Sequence, residues 1–310
     1  MRRRRVVGIS CGAALLALLP ALAHAQLNGH NLRGDYGLLS GSQPPPGWYA
    51  TLLYVDYDID TIRDRNGDAL PSAGGEITVR GISPMLWWVS ENQIWGGNYG
   101  FFLAPSWANN SLEAPIFGLD QETDTAFGDL YLQPVNLGWH SERADYMAAL
   151  GLFAPTGRYE ADADDNIGLG MWSFEILGGA TYYFDEKKTW HASALAAYEM
   201  HTEKEDSDVQ VGDILTIEGG IGKSFLDGAV NVGAAYFAQW KVTDDDFGGL
   251  IPTGSVGKHQ IFAAGPELSV PVFATEKVAG LLGARYLWDF RSESTTEGKT
   301  FLVTFTLASL

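Results

Sequence analysis

Hydrophobic and polar residues alternate with a period of two over most of the chain beyond residue 46. Within 230–242, Val232 and Trp240 share one face, whereas Asn231 and Lys241 lie on the other. Successive side chains of a β-strand point to opposite faces, so this spacing predicts strands rather than helices. The pattern predicts twelve strands, at 47–59, 76–89, 93–106, 125–140, 143–155, 168–184, 189–201, 212–225, 228–242, 259–272, 277–291 and 299–309. Periodicity leaves the orientation of 125–140 open.

The predicted connections alternate in length. Short ones are expected at 90–92, 141–142, 185–188, 226–228 and 274–276, and long ones at 60–75, 107–124, 156–167, 202–211, 243–258 and 292–298. Bacterial outer-membrane barrels have an even number of strands, short periplasmic turns and longer extracellular loops. The sequence therefore predicts an all-β fold, a transmembrane antiparallel up-and-down β-barrel of about 12 strands.

Tryptophans are placed near the ends of the predicted strands, in two groups. Tryptophan is enriched at membrane–water interfaces because its ring is apolar and its N–H seeks a polar partner. Two belts favour a membrane barrel over a soluble β-sandwich. The predicted interface aromatics are Trp48, Trp87, Trp95, Trp139, Trp190, Trp172, Trp240 and Trp288.

The N-terminus has the pattern of a secretory signal peptide. Arg2–Arg5 are followed by an apolar stretch and by Ala23-His24-Ala25, a small-x-small cleavage site. We expect three parts: a signal peptide at 1–25, a periplasmic segment or short plug at 26–46, and an outer-membrane barrel at 47–310. Sec-type export and signal cleavage would deliver the protein to the outer membrane of a Gram-negative bacterium.

Composition narrows the possible partners. The chain carries 38 acidic and 20 basic residues, a formal net charge of −18, which disfavours nucleic-acid binding. The single cysteine, Cys11, lies in the predicted signal peptide, so no disulfide or thiolate metal site is expected beyond it. The expected partners are outer-membrane lipid, lipopolysaccharide, a small hydrophobic solute and the barrel-assembly machinery during insertion. No cofactor is expected.

Ionisable residues within the strands are expected to line the lumen, because a charge facing lipid at mid-membrane costs about 2–4 kcal/mol for Arg or Lys. They could form a polar, net-acidic path, or a cross-braced interior of ion pairs that fills a narrow barrel. The pattern does not distinguish these two interpretations. The predicted lumen-lining residues are Asp56, Asp58, Arg80, Glu175, Glu199, Glu218, Lys241, Glu267, Arg285 and Asp289.

Two features could carry chemistry. His191 and Ser193 share a strand face, as a base and a nucleophile would in an outer-membrane lipid hydrolase, but no orienting group or oxyanion site can be named. The long acidic connections lack the spaced ligands and fixed glycine of a calcium loop. We therefore expect no catalytic residues, no metal site and no enzyme.

Five motifs together resemble one outer-membrane family. They are GLLSGSQPPPGWY at 37–49, WGGNYG at 95–100, GDLYLQP at 128–134, GLFAPTGRY at 151–159 and GGATYYFD at 178–185. The chain resembles the family named for the meta-pathway of phenol degradation. The resemblance implies an outer-membrane channel or transporter linked to uptake of aromatic or other hydrophobic compounds.

The expected function is a channel that passively conducts small hydrophobic or aromatic solutes. The alternative is a structural or surface-interaction barrel with a closed lumen. An outer-membrane lipid hydrolase is the third and weakest hypothesis.

Overall fold

The computed structural model describes residues 27–70, 75–114, 119–161, 163, 165–248 and 258–309; the predicted signal peptide lies outside these ranges. Fifteen β segments form one sheet. They are β1 (Gly47–Ile62), β2 (Glu76–Ile94), β3 (Gly97–Ala104), β4 (Trp107–Ala114), β5 (Leu119–Glu122), β6 (Ala126–Phe127), β7 (Leu130–His140), β8 (Ala144–Ala154), β9 (Ser173–Tyr183), β10 (Trp190–His201), β11 (Ile214–Phe225), β12 (Val230–Lys241), β13 (Gln260–Ala274), β14 (Val278–Glu293) and β15 (Thr296–Ser309).

The sheet closes into a barrel. β1 pairs with β2 on one side and with β15 on the other, and all pairings are antiparallel. Segments β3 and β4 together form the third barrel strand, since both pair with β2. Segments β5, β6 and β7 form the fourth. The predicted twelve-stranded antiparallel barrel is therefore confirmed.

Three predicted connections were misplaced. β2 continues through 90–92 to Ile94, and the turn falls at Trp95 and Gly96, whose φ values of 52° and 79° suit a two-residue hairpin. Most of 107–124 is strand rather than loop. The predicted long connection 292–298 is a two-residue turn at 294–295 between two long strands. In each case polar residues continue along a strand, and composition alone made that stretch look like a loop.

The two faces of the wall differ as the alternation predicts. Along β10, Leu195, Glu199 and His201 are buried, whereas Trp190 and Ala194 are exposed. Many large apolar side chains stand exposed on the outer face, among them Leu52, Ile82, Leu150, Phe174, Ile176, Tyr182, Ile221, Val232, Leu268, Leu282 and Phe301. Such a continuous apolar surface suits contact with lipid.

The core lies inside the barrel. One cluster of buried side chains comes from the β1 and β12–β15 side and includes Leu53, Phe237 and Leu287. A second comes from β8–β10 and includes Met147 and Leu195. No helix among the described residues is both long and apolar enough to cross a membrane. We call the end with the short connections the turn end, and the other the loop end.

Candidate functional site

Residues 27–46, here called the lumenal segment, run through the barrel from one end to the other. At the loop end, Lys241 Nζ on the last residue of β12 donates to the Leu27 carbonyl (2.7 Å). Near the turn end, Gln43 Nε2 donates to Asn136 Oδ1 (2.8 Å) and to the Asn98 carbonyl (3.2 Å). The segment then reaches Gly47, where β1 begins. The interior of the barrel is thus occupied along its length.

Carboxylates of the wall hold the backbone of the lumenal segment. Glu199 accepts hydrogen bonds from the backbone N–H groups of His30 (2.6 Å) and Asn31 (3.3 Å). The Asn31 side-chain amide donates to Glu175 Oε1 (2.8 Å). Both glutamates are almost fully buried. Charge-assisted hydrogen bonds of this kind satisfy backbone donors that water cannot reach.

The ladder of carboxylates continues towards the turn end. Glu218 accepts from the N–H groups of Gly34 (2.7 Å) and Tyr36 (3.2 Å), and Glu267 accepts from Leu38 N–H (3.1 Å). The acids therefore recognise main-chain N–H groups of the segment, which here forms turns and a short 3-10 helix at Gly37–Leu39, rather than basic side chains. This explains how so acidic an interior can be filled by a segment with few cations.

One arginine reinforces the ladder. Arg285 Nε lies 2.7 Å from Glu267 Oε2, and Arg285 Nη1 donates to the Gly34 carbonyl. The guanidinium therefore bridges a wall carboxylate and the lumenal backbone. Its fixed fork of donors suits two acceptors at once.

Glycines of the wall provide room for the segment. A Cβ on Gly220 or on Gly233 would lie 2.7 Å from Leu38 Cδ2, and one on Gly138 would lie 2.4 Å from Gln43 Cβ. Any larger residue at these positions would have to displace the lumenal segment. Leu38 is accordingly almost fully buried against the wall.

His30 anchors the loop-end half of the segment. Its Nε2 lies 2.7 Å from Asp129 Oδ2, its Nδ1 lies 2.7 Å from Ser173 Oγ, and its ring stacks on Phe153 at 4.7 Å. Asp129 occupies the break between β6 and β7, where it also accepts from the N–H of Leu169 (2.7 Å). The break in the strand thus lets one carboxylate join loop, wall and lumenal segment.

The inner wall carries a ladder of aromatic rings. Phe153 stacks on Tyr131 with ring centroids 4.2 Å apart, and Tyr131 meets Phe102 edge-on at 5.9 Å. Phe102 in turn meets Trp87 at 5.9 Å. With His30 at its loop end, this aromatic ladder runs along the lumen to Trp87 near the turn end.

Among the described residues, three cavities lie beside the lumenal segment. The first, about 300 Å³, lies between the segment and the β1–β8 wall and is lined by Phe102, Tyr131 and Phe153. The second, about 230 Å³, lies beside Tyr57 and Phe237. The third is a turn-end vestibule of about 1340 Å³, whose lining includes Trp87 and Gln43. The aromatic ladder therefore extends from the first cavity to the vestibule.

Loops cover part of the loop end. Lys204 Nζ donates to the Leu169 carbonyl (3.0 Å) and lies over the Tyr159 ring at 5.4 Å. Burial lowers the pKa of Lys204 to about 8. The connections 155–172 and 202–213 are joined again by Glu205 N–H, which donates to the Gly170 carbonyl (2.6 Å). Two connections thus form one cover beside the first cavity.

The predicted lumen-lining residues divide into two sets. Seven lie on the inner face: Glu175, Glu199, Glu218, Lys241, Glu267, Arg285 and Asp289. The structure places Asp56, Asp58 and Arg80 on the outer face, opposite to the predicted side.

The reason for the difference is the position of these charges along the barrel. Arg80 pairs with Asp56 across β1 and β2 and with Asn109 across β2 and β4. Outer-face Trp107 lies opposite Ile82, nearer the turn end than this charged group. The penalty for charges facing lipid falls towards the interface, so a neutralised Asp56–Arg80 pair is tolerated beyond the tryptophan.

Seven of the eight predicted interface aromatics lie on the outer face or in a turn: Trp48, Trp95, Trp139, Trp190, Trp172, Trp240 and Trp288. Trp95 is 88% exposed at its turn. Trp87 instead points inwards, because it shares the inner face of β2 with Met85 and Val89. Its neighbour Trp88 contacts Trp48 (6.0 Å).

The strand 125–140 could not be oriented from its sequence, and the structure shows why. The register between β7 and β8 shifts between Leu132 and Val135. Tyr131 faces inwards before this bulge, Gln133 within it and Asn136 after it. A bulge changes which residue parity points to the interior, so strict alternation fails there.

The candidate hydrolase pair is not arranged for catalysis. Ser193 Oγ donates to the Leu38 carbonyl (2.8 Å), and neither ring nitrogen of His191 has a hydrogen-bond partner. A base must reach the nucleophile's proton. No group of three or more His, Cys, Asp or Glu side chains that could hold a metal ion occurs in the described part of the chain.

Solved structures of other proteins are similar to this barrel. The chain is 16% identical to an outer membrane channel from Pseudomonas putida F1, covering 90% of this chain and 100% of that one, with a TM-score of 0.72. It is 10% identical to the transport unit of the autotransporter AIDA-I from Escherichia coli, covering 95% and 97%, with a TM-score of 0.52. These likenesses show a shared barrel fold. No curated protein sequence matches the chain.

A family model identifies the chain more closely. The family described as "Putative MetA-pathway of phenol degradation" matches residues 59–305, nearly the whole barrel. The resemblance inferred from the sequence motifs is thereby confirmed, and the chain belongs to this family.

Proposed function

We propose that the protein is an outer-membrane channel that passively conducts small hydrophobic or aromatic solutes. The observation that carries this proposal is the aromatic ladder, a row of rings that extends from the first cavity near the loop end to the turn-end vestibule. The successive rings offer a mobile aromatic solute similar apolar contacts along the lumen. The name of the Pseudomonas putida neighbour, an outer membrane channel, supports the same function.

The remaining elements of the proposal concern the setting of the channel. A cleaved signal peptide at 1–25 would direct export, and the apolar outer face would contact outer-membrane lipid. The long connections would face lipopolysaccharide, and the acidic inner wall would favour cations over anions where water enters. The lumenal segment would act as the plug that controls passage.

The lumenal segment also favours one alternative, a barrel with a permanently closed lumen. Its backbone is held by the buried Glu199 and Glu218 and by the half-buried Glu267, and Leu38 and Gln43 pack against wall glycines. Passage then requires the segment to move or solutes to slip beside it. The two functions differ in whether the purified protein conducts.

Conductance recordings in planar bilayers and uptake assays in whole cells distinguish the channel from the closed barrel. A channel gives discrete conductance steps, and its expression raises the initial uptake rate of radiolabelled phenol in a Gram-negative host with intact lipopolysaccharide. Matched cells without the protein set the background. Folded protein that gives neither conductance nor uptake above background would favour the closed barrel.

Orientation is tested by labelling introduced cysteines. Asp206 and Asp244 are exposed at the loop end, and Lys187 and Asp227 are exposed at the turn end. Cysteines at the first two positions should react with impermeant maleimide on intact cells, whereas cysteines at the other two should react only after lysis. The opposite pattern would reverse the proposed orientation.

A further inference from the structure

We propose that the first cavity is a binding site for a single-ring aromatic compound that carries a hydrogen-bond donor, such as a phenol. The inference rests on the proposed channel function and specifies its substrate class. It is drawn from two features that meet in this cavity: a wall of aromatic rings, and acceptor atoms of the lumenal segment that have no donor.

The apolar part of the site is shaped for a ring. Phe102, Tyr131 and Phe153 line the β1–β8 side, and Leu53 and Met85 complete that wall. Stacked and edge-on ring geometries are those that aromatic pairs prefer. A cavity of about 150 Å³ already admits benzene. The first cavity, at about 300 Å³, therefore holds one ring with a substituent.

The polar part of the site is incomplete. Asn31 Oδ1 and Asp35 Oδ1 are shielded from solvent, and neither has a hydrogen-bond partner. Both residues line the first cavity. The other polar groups of its wall are already engaged: Glu175 accepts from Asn31 Nδ2 (2.8 Å) and from Tyr131 Oη (2.7 Å).

The unpaired buried acceptors indicate that a ligand of this cavity should supply a hydrogen-bond donor. A buried polar atom without a partner is unfavourable, and each such atom in a folded protein calls for an explanation. A hydroxyl or amino group on a ring would supply a donor to Asn31 or Asp35 while its ring contacts the aromatic wall. A purely hydrocarbon ring would leave both acceptors unpaired, so the site should discriminate against it.

The discrimination can be measured by ¹⁹F NMR titration of the full-length protein in detergent. The probes are 4-fluorophenol, and 4-fluorotoluene, which has a similar shape but no donor. Empty micelles give the non-saturating background. We expect saturable binding of 4-fluorophenol, and binding of 4-fluorotoluene weaker by about tenfold, the equivalent of one buried hydrogen bond.

Substitutions test whether the preference for 4-fluorophenol arises in the first cavity. Asp35→Ala and Asn31→Ala together should abolish the preference for the phenol, and Phe153→Leu should weaken both probes. Matched controls lie on the outer face, away from the lumen: Asp58→Ala and Phe174→Leu should retain the preference. Circular dichroism and heat-modified gel mobility establish that each variant is folded. Equal affinity for the two probes, or a preference that survives the double variant, would overturn the proposed site.

The outcomes separate this site from the channel itself. Uptake of phenol without saturable binding would leave the channel proposal standing and reject the site. Saturable, donor-dependent binding without conductance or uptake would support the site and reject the channel.

Discussion

The two sides of the lumen make different contacts with the lumenal segment. On the β9–β14 side, Glu199, Glu218 and Glu267 bind its backbone N–H groups, and Arg285 binds a carbonyl. On the β1–β8 side, Asp129, Gln133 and Asn136 bind the side chains of His30, Tyr36 and Gln43, and the rest of the wall is largely aromatic and aliphatic and leaves the first cavity open. One side therefore holds the main chain of the segment, while the other holds some of its side chains and leaves a space lined with rings.

This difference indicates how a barrel whose lumen holds the segment can still conduct small solutes. Anchoring on one side confines the segment without filling the whole cross-section. A solute with a ring meets the other side, where contacts are apolar and non-directional. Anchoring and solute contact can thus be altered separately by mutation, and the following predictions exploit this separation.

The largest effect is expected from removing the anchors. Glu199→Ala with Glu218→Ala leaves four backbone N–H groups of the lumenal segment without acceptors, each costing about 1–3 kcal/mol when buried. The ratio of docked to undocked segment should fall by more than about a hundredfold. Hydrogen exchange at residues 30–36 should accelerate, and channel openings should become larger and more frequent. Asp58→Ala, on the outer face, is the control. Unchanged exchange in the double variant would show that the carboxylates do not hold the segment.

A smaller effect is expected where the segment packs on a wall glycine. In Gly138→Ala the new Cβ would lie 2.4 Å from Gln43 Cβ, so Gln43 must move, at a cost of about 1–3 kcal/mol. Proteolysis near residue 43 and conductance should both increase. Gly178→Ala provides the matched control, because its Cβ would meet no atom within 4 Å. If both variants behave alike, the close contact at Gly138 has no role in docking.

The ring-lined side can be blocked without touching the anchors. Ala104 lines the first cavity, so Ala104→Trp should fill it and lower phenol uptake by about tenfold. Hydrogen exchange of residues 30–36 should stay unchanged, because Glu199 and Glu218, which accept from their N–H groups, lie on the opposite side. Ala194→Trp adds the same ring to the outer face and should leave uptake intact. Loss of docking in the Ala104 variant would mean that the two sides are coupled.

The smallest effect concerns a turn remote from both sides. Asp185 accepts from Trp190 N–H (2.7 Å) and Thr189 N–H (3.0 Å), and these backbone groups lower its pKa below 3.8. A carboxylate with a lowered pKa stabilises the fold above its unfolded pKa and loses that effect as the pH falls through its folded value. Asp185→Ala should therefore be slightly less stable than the wild-type protein at pH 7. The gap should narrow towards pH 3 in denaturant titrations, with conductance unaffected at either pH.

The sequence contained enough information to predict the barrel but not all of its orientation. Strands such as β10, where Ala194 and Glu199 fall on opposite faces, could be read from alternation alone. β1 could not, because Leu52 and Tyr54 on its outer face and Leu53 and Val55 on its inner face are all apolar. The assumption that charges point inwards then assigned Asp56 to the wrong side.

Most contacts of the candidate site could not be predicted from the sequence. The absence of a strand pattern marked 26–46 as a periplasmic segment or short plug, and periodicity left the orientation of 125–140 open. Neither signal could indicate that Gln43 bonds to Asn136, or that Glu218 bonds to backbone N–H groups at Gly34 and Tyr36. Such pairs lie far apart along the chain, and their partners are partly main-chain atoms that every residue possesses.

The sequence by itself determined the closed antiparallel sheet, since a strand's side chains alternate with a period of two and short turns join neighbouring strands. It also determined the apolar outer face. The tertiary structure alone decided which lumen acids bind the main chain of the lumenal segment. It also decided which glycines make room for Leu38 and Gln43, and where the aromatic rings align. These features depend on distances across the lumen, and only closure of the barrel around the segment sets those distances.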